Sequence, residues 1–238
     1  MSIANTVEKF HSYVASQGKD ARIHAGPAKQ YANEPALTIS YQAGVDVLGI
    51  AGQLTAILEK QEAESGRTWS VLDQQLIETA LAARRWPKDL AGKLREHKRF
   101  VIDEWMDDLL GLCPPSWEFV PQLMKTTLQL AMAGHVILVG HGATIVTSKL
   151  SNVFHVRLTG SLSARIERIQ SLRNLAPKAA AKFITTEDLE RKKYLKTHFR
   201  ARLDNELLYD VVINTDRVSN NDAAGLIFHG ARDFFSKL

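Results

Sequence analysis

Residues 135–142 read His-Val-Ile-Leu-Val-Gly-His-Gly, an unbroken apolar run that ends in a Gly-X-Gly turn. A strand with one wet face alternates apolar and polar residues. A run that is apolar throughout belongs to a strand covered on both faces. Four further β-rich runs share the chain with it: Leu-Thr-Ile-Ser (37–40), Trp-Ser-Val-Leu-Asp (69–73), Phe-His-Val-Arg-Leu (154–158) and Tyr-Asp-Val-Val-Ile-Asn-Thr (209–215). Stretches with helical spacing separate them. Apolar strands alternating with helices predict an α/β fold, a five-stranded parallel sheet sandwiched by helices, with the 37–40 strand at its centre.

Helices are read over 47–63, 118–133, 161–172, 177–200 and 222–237, with Ser161 as an N-cap. Two more, over 74–86 and 89–110, are expected to form a lateral helical insert spanning about 74–117. Residues 1–20 read as an amphipathic helix with Val7, Phe10, Tyr13 and Val14 on one side, followed by a linker that ends at Pro35. This helix is expected to pack outside the core domain, 36–238, against the same chain or against a second copy in a homodimer.

The net charge of +4 and a pI near 9.1 suit an anionic small molecule and are too mild to argue for duplex nucleic acid. The single cysteine, Cys113, allows no internal disulfide and no cysteine metal cluster. No apolar run approaches the roughly 18 residues that span a bilayer, and the N-terminal stretch lacks a basic head followed by an apolar core. A cytoplasmic protein with no membrane partner is the expectation.

In a parallel sheet of this kind ligands bind beyond the C-terminal ends of the strands. That directs attention to Ser40–Gly49, Asp73, Gly140–Thr144 and Asn214–Arg217. The first of these is a strand, a turn and a helix, the layout of a phosphate-binding loop, and Gly44 and Gly49 have the glycine spacing of G-x-x-x-x-G-K-S/T. Ile50 and Ala51 stand where that motif has Lys and Ser or Thr, and from Val45 to Gln53 there is no basic side chain and no hydroxyl. Val45 and Val47 are β-branched and resist the positive φ of an anion-cradling curl. Asp46 adds a negative charge. Each missing charge-assisted contact is worth roughly 1.5–3 kcal/mol.

The segments Ile-Ser-Tyr-Gln-Ala-Gly (39–44), Val-Leu-Asp-Gln-Gln-Leu-Ile-Glu-Thr-Ala (71–80), Gly-His-Val-Ile-Leu-Val-Gly-His-Gly-Ala-Thr-Ile-Val (134–146) and Val-Phe-His-Val-Arg-Leu-Thr-Gly-Ser-Leu-Ser-Ala-Arg-Ile-Glu-Arg-Ile-Gln (153–170) appear in this order. They are followed by Ile-Thr-Thr-Glu-Asp-Leu-Glu-Arg-Lys-Lys-Tyr (184–194) and by the stretch from Glu206 to Ile227. Together they resemble the cytidylate kinase-like family, a branch of the P-loop nucleoside monophosphate kinases, from about Leu37 to about Phe228. The family's first loop resembles I-S-R-Q-Y-G-S-G-G-R-E-I-A. Laid on it, Gly44 keeps its glycine, Ser-Gly-Gly-Arg becomes Val45-Asp46-Val47-Leu48, Tyr41 replaces an Arg, and Gly49 falls on the Glu.

The resemblance implies phosphoryl transfer from ATP, with Mg²⁺, to a CMP-like acceptor. It implies catalytic roles for Arg191, Asp188 and Arg165 and nucleotide contacts for Gly44, Asp73, His141, Arg168, Asn214 and Thr215, with a lid over about 165–200. His141 stands where the family has Arg, and a neutral imidazole does not replace a guanidinium on phosphate. Each residue also has a plain structural reading. Asp73 suits a helix N-cap, His141 a turn. Arg165 suits an ion pair with Glu167 or Glu187, Asp188 and Arg191 a pair with each other at i, i+3, and Asn214-Thr215 a β-turn. The basic stretch 83–100 is either a contact surface for a polyanion or a solvated helix face. Three functions remain open: a nucleotide kinase, an inactive relative that binds a nucleotide or other anion and serves a regulatory or interaction role, or an interaction module that uses the scaffold alone with 83–100 as its contact surface.

Overall fold

The computed structural model describes residues 34–63, 68–74, 77, 119–140 and 142–237. The N-terminal helix, the basic stretch 83–100, nearly all of the expected insert and His141 lie outside the described residues.

Five parallel strands form one sheet: β1 (Ala36–Tyr41), β2 (Ser70–Asp73), β3 (Val136–Val139), β4 (Val153–Thr159) and β5 (Val211–Asn214), in the order β2-β3-β1-β4-β5. The first strand is central, as its sequence predicts. Successive residues of a strand point to opposite faces, and the two layers follow from that. Leu37 and Ile39 join Ile137, Val156, Leu158 and Ile213 beneath α1 (Val47–Gln61) and a C-terminal helix, Asn220–Phe235. Ala36, Leu72, Val136, Leu138 and Val153 face the other layer, built from α2 (Phe119–Ala133) and a short α3 (Ala143–Val146). Two further helices follow β4: α4 (Leu162–Arg173) and the long α5 (Pro177–Phe199). The C-terminal helix is therefore α6.

The second face of β1 also carries Thr38 and Ser40, both fully buried. A buried hydroxyl is costly unless it is hydrogen-bonded, and β4 supplies the partners in register. Thr38 pairs with His155, Ser40 with Arg157. Thr38 Oγ1 lies 2.8 Å from His155 Nδ1 and 3.1 Å from Thr144 Oγ1 of α3, and Arg157 Nη1 donates to Ser40 Oγ at 2.7 Å. Burial holds His155 below the usual histidine pKa against the opposing pull of Asp210, and it lowers Arg157 as well.

β1 and β4 extend one residue beyond their runs at each end, whereas β2, β3 and β5 are shorter than theirs. The run at 135–142 gives a strand only over Val136–Val139, because Gly134 (φ +82°) and His135 (φ +50°) turn the chain out of α2 in the left-handed region. A side chain at Gly134 would overlap Glu34, so a glycine is needed there. Ser161 caps α4 as predicted, accepting from the Ala164 N–H at 3.2 Å. The single turn of α3 and the 3₁₀ turn at Glu206–Leu208 are not foreseen in the sequence.

Candidate functional site

The turn between β1 and α1 is built around two residues. Gly44 has φ +91°, and a Cβ there would lie 2.9 Å from the Arg165 Cβ, so α4 sits directly on the turn. Ala43, Ile169, Ala180 and Ile184 bury one another, which seats the α4–α5 hairpin on the same turn.

Asp46 is the N-cap of α1. Its Oδ1 accepts from the Gly49 N–H at 3.2 Å, its Oδ2 accepts from Asn220 Nδ2 at 2.7 Å, and it forms an ion pair with Arg168. A helix N-terminus attracts negative charge because its first N–H groups lack partners. Here that charge belongs to the chain itself. A Cβ at position 49 would lie 2.5 Å from Asp46 Oδ2, so Gly49 makes room for the capping carboxylate. The spacing of the two glycines thus has two local causes.

Arg165 turns into the protein. Its Nε donates to Gly160 O at 3.0 Å, and its Nη1 donates to Ala43 O at 3.0 Å and to Asp188 Oδ2 at 2.6 Å. The other Asp188 oxygen accepts from the Ala43 N–H at 2.9 Å. The pair therefore grips both backbone groups of one turn residue. Pairing of Asp188 with Arg191, and of Arg165 with Glu167 or Glu187, is corrected by this geometry. Spacing along a helix favours i, i+3 partners, but the buried guanidinium beside Ala43 claims the carboxylate. Arg191 instead makes an ion pair with Glu187 at 3.6 Å and lies over the Tyr41 ring, 4.4 Å from its centroid. Its Nη1 also donates to Tyr41 O at 3.2 Å.

A cleft of about 1000 Å³ opens over the C-terminal ends of β1, β2 and β3. Gly44, Asp73, Arg168 and Arg191 line it, so these four residues are brought together. Asp73 closes β2 beside Val139. Among the described residues the lining carries four carboxylates, Asp46, Asp73, Glu187 and Glu190, against three guanidiniums, Arg168, Arg173 and Arg191. Phe183 and the exposed side chains of Leu48 and Leu172 add an apolar wall. Asn214 and Thr215 are not among the lining residues. Thr215 bonds to Thr159 O through both its N–H and its hydroxyl, and Asn214 Oδ1 accepts from the Asp216 N–H, which is the β-turn reading of this segment.

Sequence reading misses Arg173, Asn220 and the stacking role of Tyr41. It also misses Gln42, whose Oε1 accepts from the Gly160 N–H at 2.9 Å. Only the Asp46 cap leaves a local signal, an Asp just before an apolar helix.

The profile of the cytidylate kinase-like family matches residues 68–217, more than half of the chain. The chain belongs to this family. A cytidylate kinase from Staphylothermus marinus is 27% identical over 117 residues, which cover 49% of this chain and 63% of that enzyme. The match thus spans a little under two thirds of the relative's length. The crystal structure of an uncharacterized protein from Eubacterium ventriosum superposes with a TM-score of 0.64 at 15% identity, covering 84% of this chain and 99% of that one. The likeness is one of fold alone.

Proposed function

We propose that this family member binds a nucleoside monophosphate-like anion in the cleft and transfers phosphoryl groups from ATP very slowly or not at all. It then acts as a regulatory or interaction protein with a degenerate phosphate loop. The observation that carries this reading is the Asp46 cap. A phosphate loop receives its anion on backbone N–H groups at a helix N-terminus. In this chain a carboxylate already takes that place, bonded to Gly49, Asn220 and Arg168.

The residues of this turn do not fit magnesium-bound triphosphate. From Val45 to Gln53, the turn and the first turns of α1, no hydroxyl or basic side chain stands to hold the metal or the phosphates, and the Asp46 carboxylate repels phosphate. The acceptor side is better furnished. Asp73 and Arg191 line the same cleft, and a relative over part of the chain is named a cytidylate kinase, which supports a CMP-like ligand.

The second reading is an active nucleotide kinase in which another group replaces the loop. Arg191, Asp188 and Arg165 favour it by resemblance. A thermal-shift panel of CMP, CDP, ATP and GTP, each with and without Mg²⁺, separates the two. The proposal expects CMP to raise the melting temperature with no need of metal. Ligand at about 100 times its Kd adds about 2.7 kcal/mol. Stabilisation by ATP that depends on Mg²⁺ would overturn it.

A further inference from the structure

Two arginines of α4 hold carboxylates, and the two pairs differ in what opening them would cost. Arg165 is 10% exposed and donates to two carbonyls as well as to Asp188. Withdrawing it would strand those buried acceptors. Arg168 is 39% exposed and lines the cleft, and among the described residues Asp46 is its one polar partner. A half-exposed pair of this kind is weak. Asp46 does not depend on it, because its bonds to the Gly49 N–H and to Asn220 remain when Arg168 leaves.

We propose that Asp46 is a built-in competitor for Arg168: the carboxylate holds the guanidinium while the cleft is empty, and an incoming phosphate must take it away. This autoinhibitory contact rests on the reading of the cleft as an anion site. It goes further by naming the group the anion captures and the group that opposes capture. The competition is electrostatic and intramolecular. Asp46 lies in the same lining as Arg168, so any phosphate that reaches the guanidinium also approaches the carboxylate. Asp46 therefore weakens binding twice, by occupying the donor and by repelling the ligand.

Asp46→Asn is the informative substitution. Asn ranks with Asp as an N-cap, so α1 keeps its cap. Asn220 can present its amide oxygen to the new amide, and the charge that held Arg168 is gone. The experiment is calorimetric titration of CMP, and separately of inorganic pyrophosphate, into the full-length protein. The set comprises wild type, Asp46→Asn, Arg168→Gln and the double variant, with circular dichroism as the check on folding. If Asp46→Asn does not fold, Asp46→Ser retains a capping oxygen and takes its place. The expected result is about three- to tenfold tighter binding in Asp46→Asn and weaker binding in Arg168→Gln. In the Arg168→Gln background the Asp46 substitution should change affinity less than about twofold, since the two residues act on one step.

The competition is overturned if Asp46→Asn binds neither probe more tightly than wild type. It is equally overturned if the gain persists undiminished without Arg168, which would mark a general charge effect. CMP binding by wild type with no gain in Asp46→Asn would sink the competition and keep the nucleotide reading. A pyrophosphate gain with no CMP binding in any variant would keep the competition and sink that reading. No binding of either probe by any variant would remove both.

Discussion

Arg191 lies over the Tyr41 ring in the lining of the cleft, the guanidinium 4.4 Å from the ring centroid and hydrogen-bonded to the Tyr41 carbonyl. The family pattern has an arginine at position 41. In this chain an aromatic ring stands there and receives an arginine from α5. Arg191 is thereby fixed at the end of β1, beside a turn whose helix terminus Asp46 has closed. Catalysis of phosphoryl transfer is largely positioning and charge neutralisation, and on the function proposed above a triphosphate without a cradle at this turn gains little from a well-placed Arg191. A coupled assay with ATP, Mg²⁺ and CMP should show turnover far below the 1–100 s⁻¹ usual for kinases. Turnover in that range, abolished by Arg191→Ala, would establish an active enzyme.

Asp188→Ala should be the most damaging change at the turn. It leaves the buried Arg165 guanidinium without its counter-charge and the Ala43 N–H without its acceptor. Removing one partner of a buried pair costs several kcal/mol, and partial exposure reduces this to about 2–3 kcal/mol here. A fall in melting temperature of about 4–12 °C follows for a domain of this size. A fall under about 2 °C would show that the grip on Ala43 does not stabilise the fold.

Two glycines of α1 should respond oppositely to alanine. A Cβ at Gly52 meets nothing within 4 Å, so Gly52→Ala should stabilise by about 0.5–1 kcal/mol through helix propensity. At Gly49 the same change presses on Asp46 Oδ2 at 2.5 Å and on Asn220 Nδ2 at 3.0 Å. Disturbing the cap costs about 0.5–2 kcal/mol, which offsets the propensity gain. Urea denaturation should therefore rank Gly52→Ala above wild type and Gly49→Ala at or below it. Equal stabilisation by both would mean that the Asp46 contacts are worth little.

Acid should destabilise the protein through His155. Burial lowers its folded pKa, so the unfolded chain binds the proton more readily. Stability then rises with pH wherever the unfolded state holds more protons. The contribution is complete above the unfolded value near 6.5 and declines as pH falls through and below it. His198, also lowered by burial, adds to the same slope. Melting temperature measured from pH 7.5 down to 5 should fall, and His155→Gln should flatten the curve. An unchanged slope in that variant would assign the acid sensitivity elsewhere.

The sheet was legible because a strand buried on both faces leaves an apolar run, and five such runs separated by helical spacing admit few other arrangements. Its edges were less so: whether His135 belongs to β3 depends on a left-handed turn that a histidine does not advertise. In the site, position along the chain told which residues stand at strand ends, and Asp73, Gly44, Arg168 and Arg191 do line one cleft. Pairing was not legible. Asp46 meets Asn220 across 174 positions, and Arg165 takes Asp188 across 23. Nothing local in the sequence distinguishes Arg165, which turns inward, from Arg168, which stays at the rim.

The hydroxyls of β1 set an order on synthesis. Thr38 finds His155, and Ser40 finds Arg157, each 117 residues further along the chain. At the usual 5–20 residues per second, roughly 6–23 s separate the making of the two partners. Until then burial of the central strand leaves Ser40 without its donor and Thr38 with Thr144 alone. On the ribosome the middle of the sheet must wait for β4, and the nascent chain spends those seconds with Leu37 and Ile39 covered by α1 but not yet by β4 or α6, which is where a chaperone would find it.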